Sequence, residues 1–303
     1  MKIVYCGNNE RGISCLENLL KFKKYKIELV ITHYKTSKGY FRSIKEISQK
    51  NNLIYINPKN INNKRIQLKI KKINPDIMIL VGYSQNILSE ETFKIPKFGT
   101  INLHASPLPY YRGGSPLNWM IINGEKEIGI SIIQVDNGID TGPILAQKFF
   151  KLSSNETINK LIRRVNKFYP ILLRKTLKKI NKLQIKKIIQ NRNKGTYFPK
   201  RKPEDGEIKF NIHTSLNIDR LVRALQYPYP GAYFYYKKIK IYIYQVTINK
   251  TDFSAIPGTI IKYNNNNLII KTNDSAINIK KIVVNGTVKN INHFNFKVGE
   301  NVL

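Results

Sequence analysis

The most constraining feature of the sequence is an alternation, along its first half, between short apolar runs and segments whose apolar residues recur at helical spacing. The helical spacing predicts helices at 12–22, 43–50 and 65–73. The apolar runs predict strands at 2–6, 27–32, 53–56, 76–81, 100–103 and 128–135. Strand–helix alternation is typical of a mostly parallel sheet that helices cover on both faces, so we expect an α/β domain.

The later part of the chain has a different pattern. Residues 158–183 and 216–225 have helical spacing, and residues 195–209 between them have the proline, glycine and charge content of a linker. Glycine, asparagine and proline turns then separate predicted strands at 232–236, 240–246, 258–262, 267–271 and 276–284. Short strands of this kind predict a small β-barrel or sandwich. The expected domains are an N-terminal domain at 1–190, a linker at 191–215 and a C-terminal β domain at 216–303.

Composition indicates what kind of protein this is and which structural features it lacks. The 303 residues are 42% hydrophobic, which supports a sizeable core. No apolar run is long enough to span a membrane, and the first residues resemble a strand more than a signal peptide, so we expect a soluble cytoplasmic protein without membrane contact. Cys6 and Cys15 have no Cys-x-x-Cys or Cys/His pattern, and the four histidines form no ligand cluster, so no disulfide framework or metal site is expected.

Two polar residues, Asn102 and His104, alternate with apolar residues at the end of a predicted strand. Their side chains would point to one face, and ligands gather at the carboxyl ends of parallel strands. Such a pair can supply an oxyanion donor and a proton-transfer group. Asp140, in a glycine-containing loop after another predicted strand, can orient His104 or stabilise its charged form. Spacing alone leaves open that the histidine is structural and that the loop is an ordinary turn.

Three motifs occur in order along the chain: Asn102-Leu103-His104, Ser106-Pro107-Leu108-Pro109-Tyr110-Tyr111-Arg112-Gly113 and Asp136-Asn137-Gly138-Ile139-Asp140-Thr141-Gly142. Together they resemble the signature of the 10-formyltetrahydrofolate-dependent formyltransferases. Pro230-Gly231-Ala232, Pro257-Gly258-Thr259 and the final Gly299-Glu300-Asn301-Val302-Leu303 resemble the C-terminal domain of that family. Several spaced motifs in the right order are far more specific than one short match.

The resemblance implies a Rossmann-like formyltransferase domain with a parallel-rich sheet, followed by a small C-terminal barrel similar to an oligonucleotide-binding (OB) fold. It implies that Asn102 stabilises the oxyanion, that His104 assists proton transfer and that Asp140 positions His104 and relays a proton. The implied formyl donor is 10-formyltetrahydrofolate, without a metal.

The resemblance also implies ligand-binding residues. Those expected to bind the folate are Leu80, Val81, Gly82, Tyr83, Val135, Asp136, Gly138 and Ile139. Ordinary core packing remains an alternative role for Val81 and Tyr83. Those expected to bind the substrate are Ser106, Arg112 and Gly113. Arg112 is the basic residue that can meet a substrate phosphate, and supporting its own loop is its alternative role.

The amine acceptor is either an amino sugar carried on a nucleotide or methionyl-tRNA. A net charge of +33 favours tRNA, although lysine, isoleucine and asparagine are abundant along the whole chain. Three segments favour the sugar: 32–41 is shorter than the basic insertion usual in the tRNA enzymes, and 115–119 and 201–206 resemble the sugar-modifying members.

The nucleotide-linked sugar is therefore the preferred acceptor. A non-catalytic nucleic-acid-binding protein on the same scaffold is the hypothesis of another class, supported by the charge and the barrel-like domain. The oligomeric state stays open, with a homodimer among the possibilities.

Overall fold

The computed structural model describes residues 1–34, 43–251, 253–264, 266–284 and 286–302. These residues form two compact units. The first consists of Met1–Pro116, Glu127–Lys151 and Ile162–Pro199, and the second of Leu117–Lys126, Leu152–Leu161 and Lys200–Leu303.

The helices and strands up to residue 199 are, in chain order, β1 (Lys2–Gly7), α1 (Asn9–Leu20), β2 (Lys26–Ile31), α2 (Ile44–Lys50), β3 (Tyr55–Ile56), α3 (Lys64–Ile73), β4 (Ile77–Val81), α4 (Glu90–Phe93), β5 (Thr100–His104), β6 (Arg112–Gly113), α5 (Pro116–Ile122), β7 (Glu127–Gln134), β8 (Ile144–Lys151), α6 (Ile158–Asn181) and β9 (Tyr197–Phe198). The remaining elements are α7 (Ser215–Ala224), β10 (Ala232–Tyr236), β11 (Ile239–Asn249), β12 (Ile260–Asn264), β13 (Asn267–Lys271), β14 (Ala276–Val284) and β15 (Thr287–Asn290). The segment with helical spacing at 158–183 forms the single long helix α6. The predicted linker contains short 3-10 turns at Arg192–Lys194 and Pro203–Gly206.

The first unit is organised around a seven-stranded sheet in the order β3-β2-β1-β4-β5-β7-β8. Strands β3, β2, β1, β4 and β5 are parallel, and β7 and β8 are antiparallel to their neighbours. The prediction of a parallel-rich α/β sheet is confirmed. Because β1, β4 and β5 run in one direction, their carboxyl ends lie at one edge of the sheet, which is where ligands bind in such folds.

The core of this sheet follows from its apolar strands. All five residues of β4 are buried, as expected for a central strand covered on both faces. On α1, Ile13, Leu16 and Leu19 lie on one face at helical spacing and are buried. Gly12 lies on α1 where an added Cβ would come 3.1 Å from the carbonyl oxygen of Val81, so glycine lets the helix approach β4 closely.

The second unit contains a six-stranded antiparallel sheet in the order β10-β11-β14-β13-β12, with β15 paired to β14. Helix α7 contributes Ile218 and Val222 to a core that includes Phe234 and Ile270. The prediction of a β-sheet domain at the C-terminal end is therefore confirmed. Within the described ranges, no helix is both long and apolar enough to cross a membrane.

Candidate active site

Strand β5 carries Asn102 and His104 at the carboxyl edge of the parallel strands. Asn102 and His104 are separated by one position on this strand, so their side chains extend from the same face of the sheet. Asn102 is half-buried and His104 is only 7% exposed. The strand therefore holds an amide and an imidazole side by side in a place largely shielded from water.

The loop after β7 positions Asp140 next to Asn102 and His104. Asp136 shapes the loop, because its Oδ1 accepts hydrogen bonds from the backbone N–H of Gly138 at 3.1 Å and from Oγ1 of Thr141 at 2.6 Å. Asp140 itself has a left-handed backbone, with φ of 55°. A non-glycine residue adopts this conformation only when its surroundings compensate for the strain.

The Asp140 carboxylate lies close to both of the other predicted catalytic side chains, Asn102 and His104. Its Oδ1 accepts a hydrogen bond from Nδ2 of Asn102 at 3.1 Å, and its Oδ2 accepts one from the backbone N–H of Gly113 at 3.0 Å. Nδ1 of His104 lies 3.4 Å from the same Oδ2. The sequence motifs predicted that Asn102, His104 and Asp140 meet, and in the structure they do.

The tautomer of His104 follows from the contact that its second ring nitrogen, Nε2, makes. Nε2 lies 2.9 Å from the carbonyl oxygen of Tyr111. A carbonyl only accepts hydrogen bonds, so Nε2 carries the proton and donates it there. In the neutral ring, Nδ1 is then the nitrogen with a lone pair, and it faces Asp140. The site can hold one further proton between an imidazole nitrogen and a carboxylate.

The three residues predicted to bind the substrate follow β5, with Ser106 in the loop before β6 and Arg112 and Gly113 forming β6. Ser106 is fully buried, and its hydroxyl donates to the carbonyl oxygen of Tyr110 at 2.8 Å, so in this structure it braces its own loop. Gly113 contacts Asp140 through its backbone, as described above. Arg112 is half-buried, and its Nε is enclosed without a hydrogen-bond partner in the part of the chain that the structure describes.

Residues 188–198, called the strap below, contact both the loop that carries Asp140 and the segment around β6. Ile188 and Ile144 exchange backbone hydrogen bonds of 2.8 and 2.9 Å, and Nε2 of Gln190 reaches the Asp140 loop. Thr196 accepts a hydrogen bond from the backbone N–H of Tyr111 through its Oγ1 at 2.9 Å. Strand β9 pairs with β6, and the rings of Tyr111 and Phe198 stack with centroids 4.8 Å apart.

The sequence did not predict these contacts of the strap. The composition of residues 195–209 indicated a linker, and no role was expected for Gln190, Thr196 or the carbonyl of Tyr111. The usable signal was weak: Thr196-Tyr197-Phe198 are three consecutive residues that favour strands, directly after Gly195.

The predicted folate residues on and after β4 are largely buried. Leu80 and Tyr83 belong to an apolar core cluster, and Val81 is fully buried. Burial raises the pKa of the Tyr83 hydroxyl well above its usual value, and the nearby Cys6 adds to the effect. Gly82 has φ of 66°, and an added Cβ would lie 2.7 Å from Nδ2 of Asn9. The side chains here serve core packing, so a ligand would meet mainly the backbone at the strand end.

The predicted folate residues after β7 are more accessible. Gly138 is exposed and the side chain of Ile139 is 44% exposed. Val135 and Asp136 lie on the wall of a cleft of about 320 Å³ that also includes Phe93 and Gln134. The lining of this cleft does not include residues 80–83. Among the described residues, no group of three or more His, Cys, Asp or Glu side chains is placed to hold a metal ion.

Comparisons with known proteins identify the family of the chain. Residues 2–177 match the family model described as formyl transferase, and residues 200–294 match the model of the formyl transferase C-terminal domain. The bifunctional polymyxin resistance protein ArnA of Wigglesworthia glossinidia brevipalpis is 39% identical over 87% of this chain, which spans 40% of the length of ArnA. The methionyl-tRNA formyltransferase of Clostridium tetani is 36% identical over 93% of this chain and 91% of its own length.

A solved structure has the same fold. The structure of WlaRD, a sugar 3N-formyl transferase crystallised in the presence of dTDP and 5-N-formyl-THF, is 25% identical, with a TM-score of 0.66. The alignment covers 92% of this chain and 97% of that protein.

Proposed function

This chain belongs to the formyl transferase family, whose members take the formyl group from 10-formyltetrahydrofolate, and we propose that it transfers this group to the amine of a nucleotide-linked amino sugar. The meeting of Asn102 and His104 at the Asp140 carboxylate is the observation that carries the catalytic part of the proposal. The preference for a sugar acceptor rests on sequence features and on one solved structure, which are discussed below.

The reaction requires a donor for a developing oxyanion. The amine nitrogen forms a bond to the formyl carbon while the carbonyl oxygen gains negative charge, and the bond from that carbon to N10 of the folate then breaks. We assign Asn102 to the oxyanion. Its amide nitrogen carries two protons, and the hydrogen bond to Asp140 uses one of them, so the other is available to the substrate.

The reaction also releases a proton from the amine and delivers one to N10. We assign this transfer to the pair of His104 and Asp140. Because Nε2 of His104 donates to Tyr111, Nδ1 is the basic nitrogen, and the carboxylate beside it stabilises the ring once it is charged. The proton taken from the amine then passes to N10 as the folate leaves, so no net proton is gained or lost.

The ligand-binding residues are proposed with the same roles as in the sequence analysis. Gly138 and Ile139 present an exposed backbone and an exposed apolar side chain beside Asp140, which suits one face of a flat pterin ring. The backbone at Leu80–Tyr83 would provide hydrogen bonds at the strand end. Arg112, adjacent in sequence to Gly113, is the residue that we assign to the diphosphate of the substrate.

One solved structure supports a sugar acceptor, because WlaRD is a sugar 3N-formyl transferase crystallised in the presence of dTDP. Two of the three segments that favoured the sugar also pack together: the guanidinium carbon of Arg201 lies 4.6 Å from the ring centroid of Trp119. Both residues belong to the second unit, where this cation–π contact links the two segments. In the third segment, 32–41, residues 35–41 lie outside the described residues.

Methionyl-tRNA is the second candidate acceptor. The Clostridium tetani relative matches nearly the full length of both chains, and the net charge of +33 suits a polyanion. The same catalytic residues would serve either acceptor. The two acceptors differ in the part of the molecule beyond the amine, which the rest of the protein would bind.

The acceptor is tested by offering the purified protein 10-formyltetrahydrofolate with either methionylated initiator tRNA or a panel of dTDP- and UDP-linked amino sugars. Mass spectrometry of the products identifies formylation, and His104→Ala is the control for catalysis. We expect a formylated sugar nucleotide from the wild type and none from the variant. Formylation of tRNA alone would replace the sugar by the second candidate. Binding of nucleic acid without any transfer would support the non-catalytic hypothesis.

A further inference from the structure

The side chain of Gln190 is almost enclosed, with 7% of its surface exposed, and it contacts the loop that carries Asp140. Its Nε2 donates to the carbonyl oxygen of Asp140 at 2.9 Å and to that of Gly142 at 2.7 Å. The two carbonyls can only accept, so the NH₂ end of the amide must face them, and each proton engages one carbonyl. One side chain thus holds both ends of the turn at Asp140.

The turn needs this support. The left-handed backbone of Asp140 is unfavourable for a residue with a Cβ unless other contacts compensate. The carboxylate of Asp140 is at the same time drawn toward Asn102, Gly113 and His104. The carbonyl of Asp140 accepts its hydrogen bond from Gln190, so the backbone and the carboxylate of this residue are held by different partners.

Gln190 is itself held on both sides. Two positions before it, Ile188 forms the paired backbone hydrogen bonds with Ile144. One position after it, the side chain of Asn191 accepts a hydrogen bond from the backbone N–H of Asn193 at 3.1 Å and closes a 3-10 turn. A rigidly mounted amide can transmit a defined position to the groups that it contacts.

We infer that Gln190 is a positioning residue for formyl transfer, which holds Asp140 so that its carboxylate aligns Asn102 and His104. The inference rests on the proposed catalytic role of these three residues. Gln190 acts only through the backbone of the Asp140 loop. Its loss therefore changes the rate of the chemical step and the surroundings of His104, and leaves the binding of the folate nearly unchanged.

The test uses Gln190→Met, which keeps the volume of the side chain and removes both donors. The matched control is Thr176→Val. Thr176 is also buried in the first unit, where its hydroxyl donates to the carbonyl oxygen of Leu172 at 2.9 Å within α6. Both variants lose buried hydrogen bonds to backbone carbonyls, but only Gln190→Met loses them at the Asp140 loop. Gln190→Asn, which shortens the side chain by one methylene, is the second variant if the first does not fold.

The first readout is NMR of the histidine side chains in the full chain, with the His104 ring identified by the signal lost in His104→Ala. We expect Gln190→Met to change the ring ¹⁵N shifts of His104, and Thr176→Val to leave them as in the wild type. A His104 signal that is the same in all three folded proteins would overturn the inference, whatever the enzyme does.

The second readout is steady-state kinetics with the acceptor that is turned over. We expect Gln190→Met to lower kcat about tenfold to a hundredfold, with the KM for 10-formyltetrahydrofolate changed less than about threefold. Equal losses in Gln190→Met and Thr176→Val would mean that Gln190 only stabilises the fold. If instead His104→Ala transfers formyl normally while the NMR response to Gln190→Met is present, the proposed catalytic roles fail and the positioning of Asp140 by Gln190 stands.

Discussion

Asn102 and Asp140 lie 38 positions apart in the chain, yet the side-chain amide of Asn102 donates a hydrogen bond of 3.1 Å to Oδ1 of Asp140. This bond sets the orientation of the amide, because the acceptor requires the nitrogen rather than the oxygen to face it. The second proton of that nitrogen then has a fixed direction. A donor that is oriented before the reaction stabilises an oxyanion without paying for reorganisation during the reaction.

Replacing Asn102 by alanine tests this arrangement. Loss of the donor should lower kcat by about a hundredfold or more, while the fold loses only about 1 kcal/mol for one hydrogen bond. Asn51→Ala is the control, because the side chain of Asn51 also donates one hydrogen bond, in its case to the backbone carbonyl of Ile47 at 2.8 Å at the end of α2. Rates and urea unfolding of the two variants are compared. A rate for Asn102→Ala within about threefold of the wild type would remove Asn102 from the mechanism.

A second test concerns the shape of the Asp140 loop. A Cβ added at Gly142 would lie 1.7 Å from the carbonyl oxygen of Gln134, which is backbone and cannot move aside easily. Gly142→Ala should therefore displace the loop, lower the free energy of unfolding by roughly 1–3 kcal/mol and reduce formyl transfer strongly. At Gly286, φ is 75° and an added Cβ meets nothing within 4 Å, so Gly286→Ala costs about 1–2 kcal/mol through backbone strain alone.

The two glycine variants thus separate loss of stability from loss of the site. Unfolding in urea and formyl transfer below the unfolding transition are measured for both. Similar destabilisation with loss of transfer only in Gly142→Ala is the expected pattern. Full transfer by a folded Gly142→Ala protein would contradict the view that the loop must keep its observed shape.

The parallel part of the fold could be predicted because its strands carry a simple signal. β4 is buried along its whole length, so its residues form a continuous apolar run. β8 and β15 carry no such signal: β8 has mixed burial and ends in exposed positions, and every residue of β15 is exposed. Neither was predicted, because edge strands are held mainly by backbone hydrogen bonds that any sequence can form.

The same distinction applies to the site. Asn102 and His104 could be placed together because they alternate on one strand, and the motif containing Asp140 linked it to them. The contact of Gln190 with Asp140 spans 50 positions and joins a side chain to a backbone carbonyl. Such a contact leaves no periodicity and requires no particular partner residue, so only the three-dimensional structure shows it.

The two cysteines give a prediction that is independent of the enzyme's activity. Cys6 on β1 and Cys15 on α1 are both free thiols and both fully buried. Burial raises the pKa of each thiol far above its usual value, although Arg11 partly opposes this for Cys15. Thiolates are the reactive form, so neither cysteine should react with Ellman's reagent at pH 8 in the folded protein, and both should react in denaturant. Rapid reaction of one thiol in the native protein would show that the β1–α1 layer opens easily.

Asp274 gives a prediction for stability at low pH. Its Oδ1 accepts a hydrogen bond from the backbone N–H of Ser215 at 2.7 Å, at the start of α7, and another from Oγ1 of Thr272 at 2.9 Å. Burial alone would raise the pKa of Asp274, but these hydrogen bonds outweigh it and lower the pKa. A carboxylate at a helix N-terminus typically contributes on the order of 1 kcal/mol.

The lowered pKa fixes the pH range in which this contribution acts. Because the folded protein has the lower pKa, the stabilisation is complete above the unfolded value of about 3.9 and is lost as pH falls through the folded value. Asp274→Asn should thus reduce the free energy of unfolding at pH 7, and the difference from the wild type should shrink below about pH 4. Urea unfolding followed by circular dichroism at a series of pH values measures this difference. A difference that stays constant down to pH 3 would mean that the charge of Asp274 does not stabilise the start of α7, and that the asparagine affects stability only through its shape.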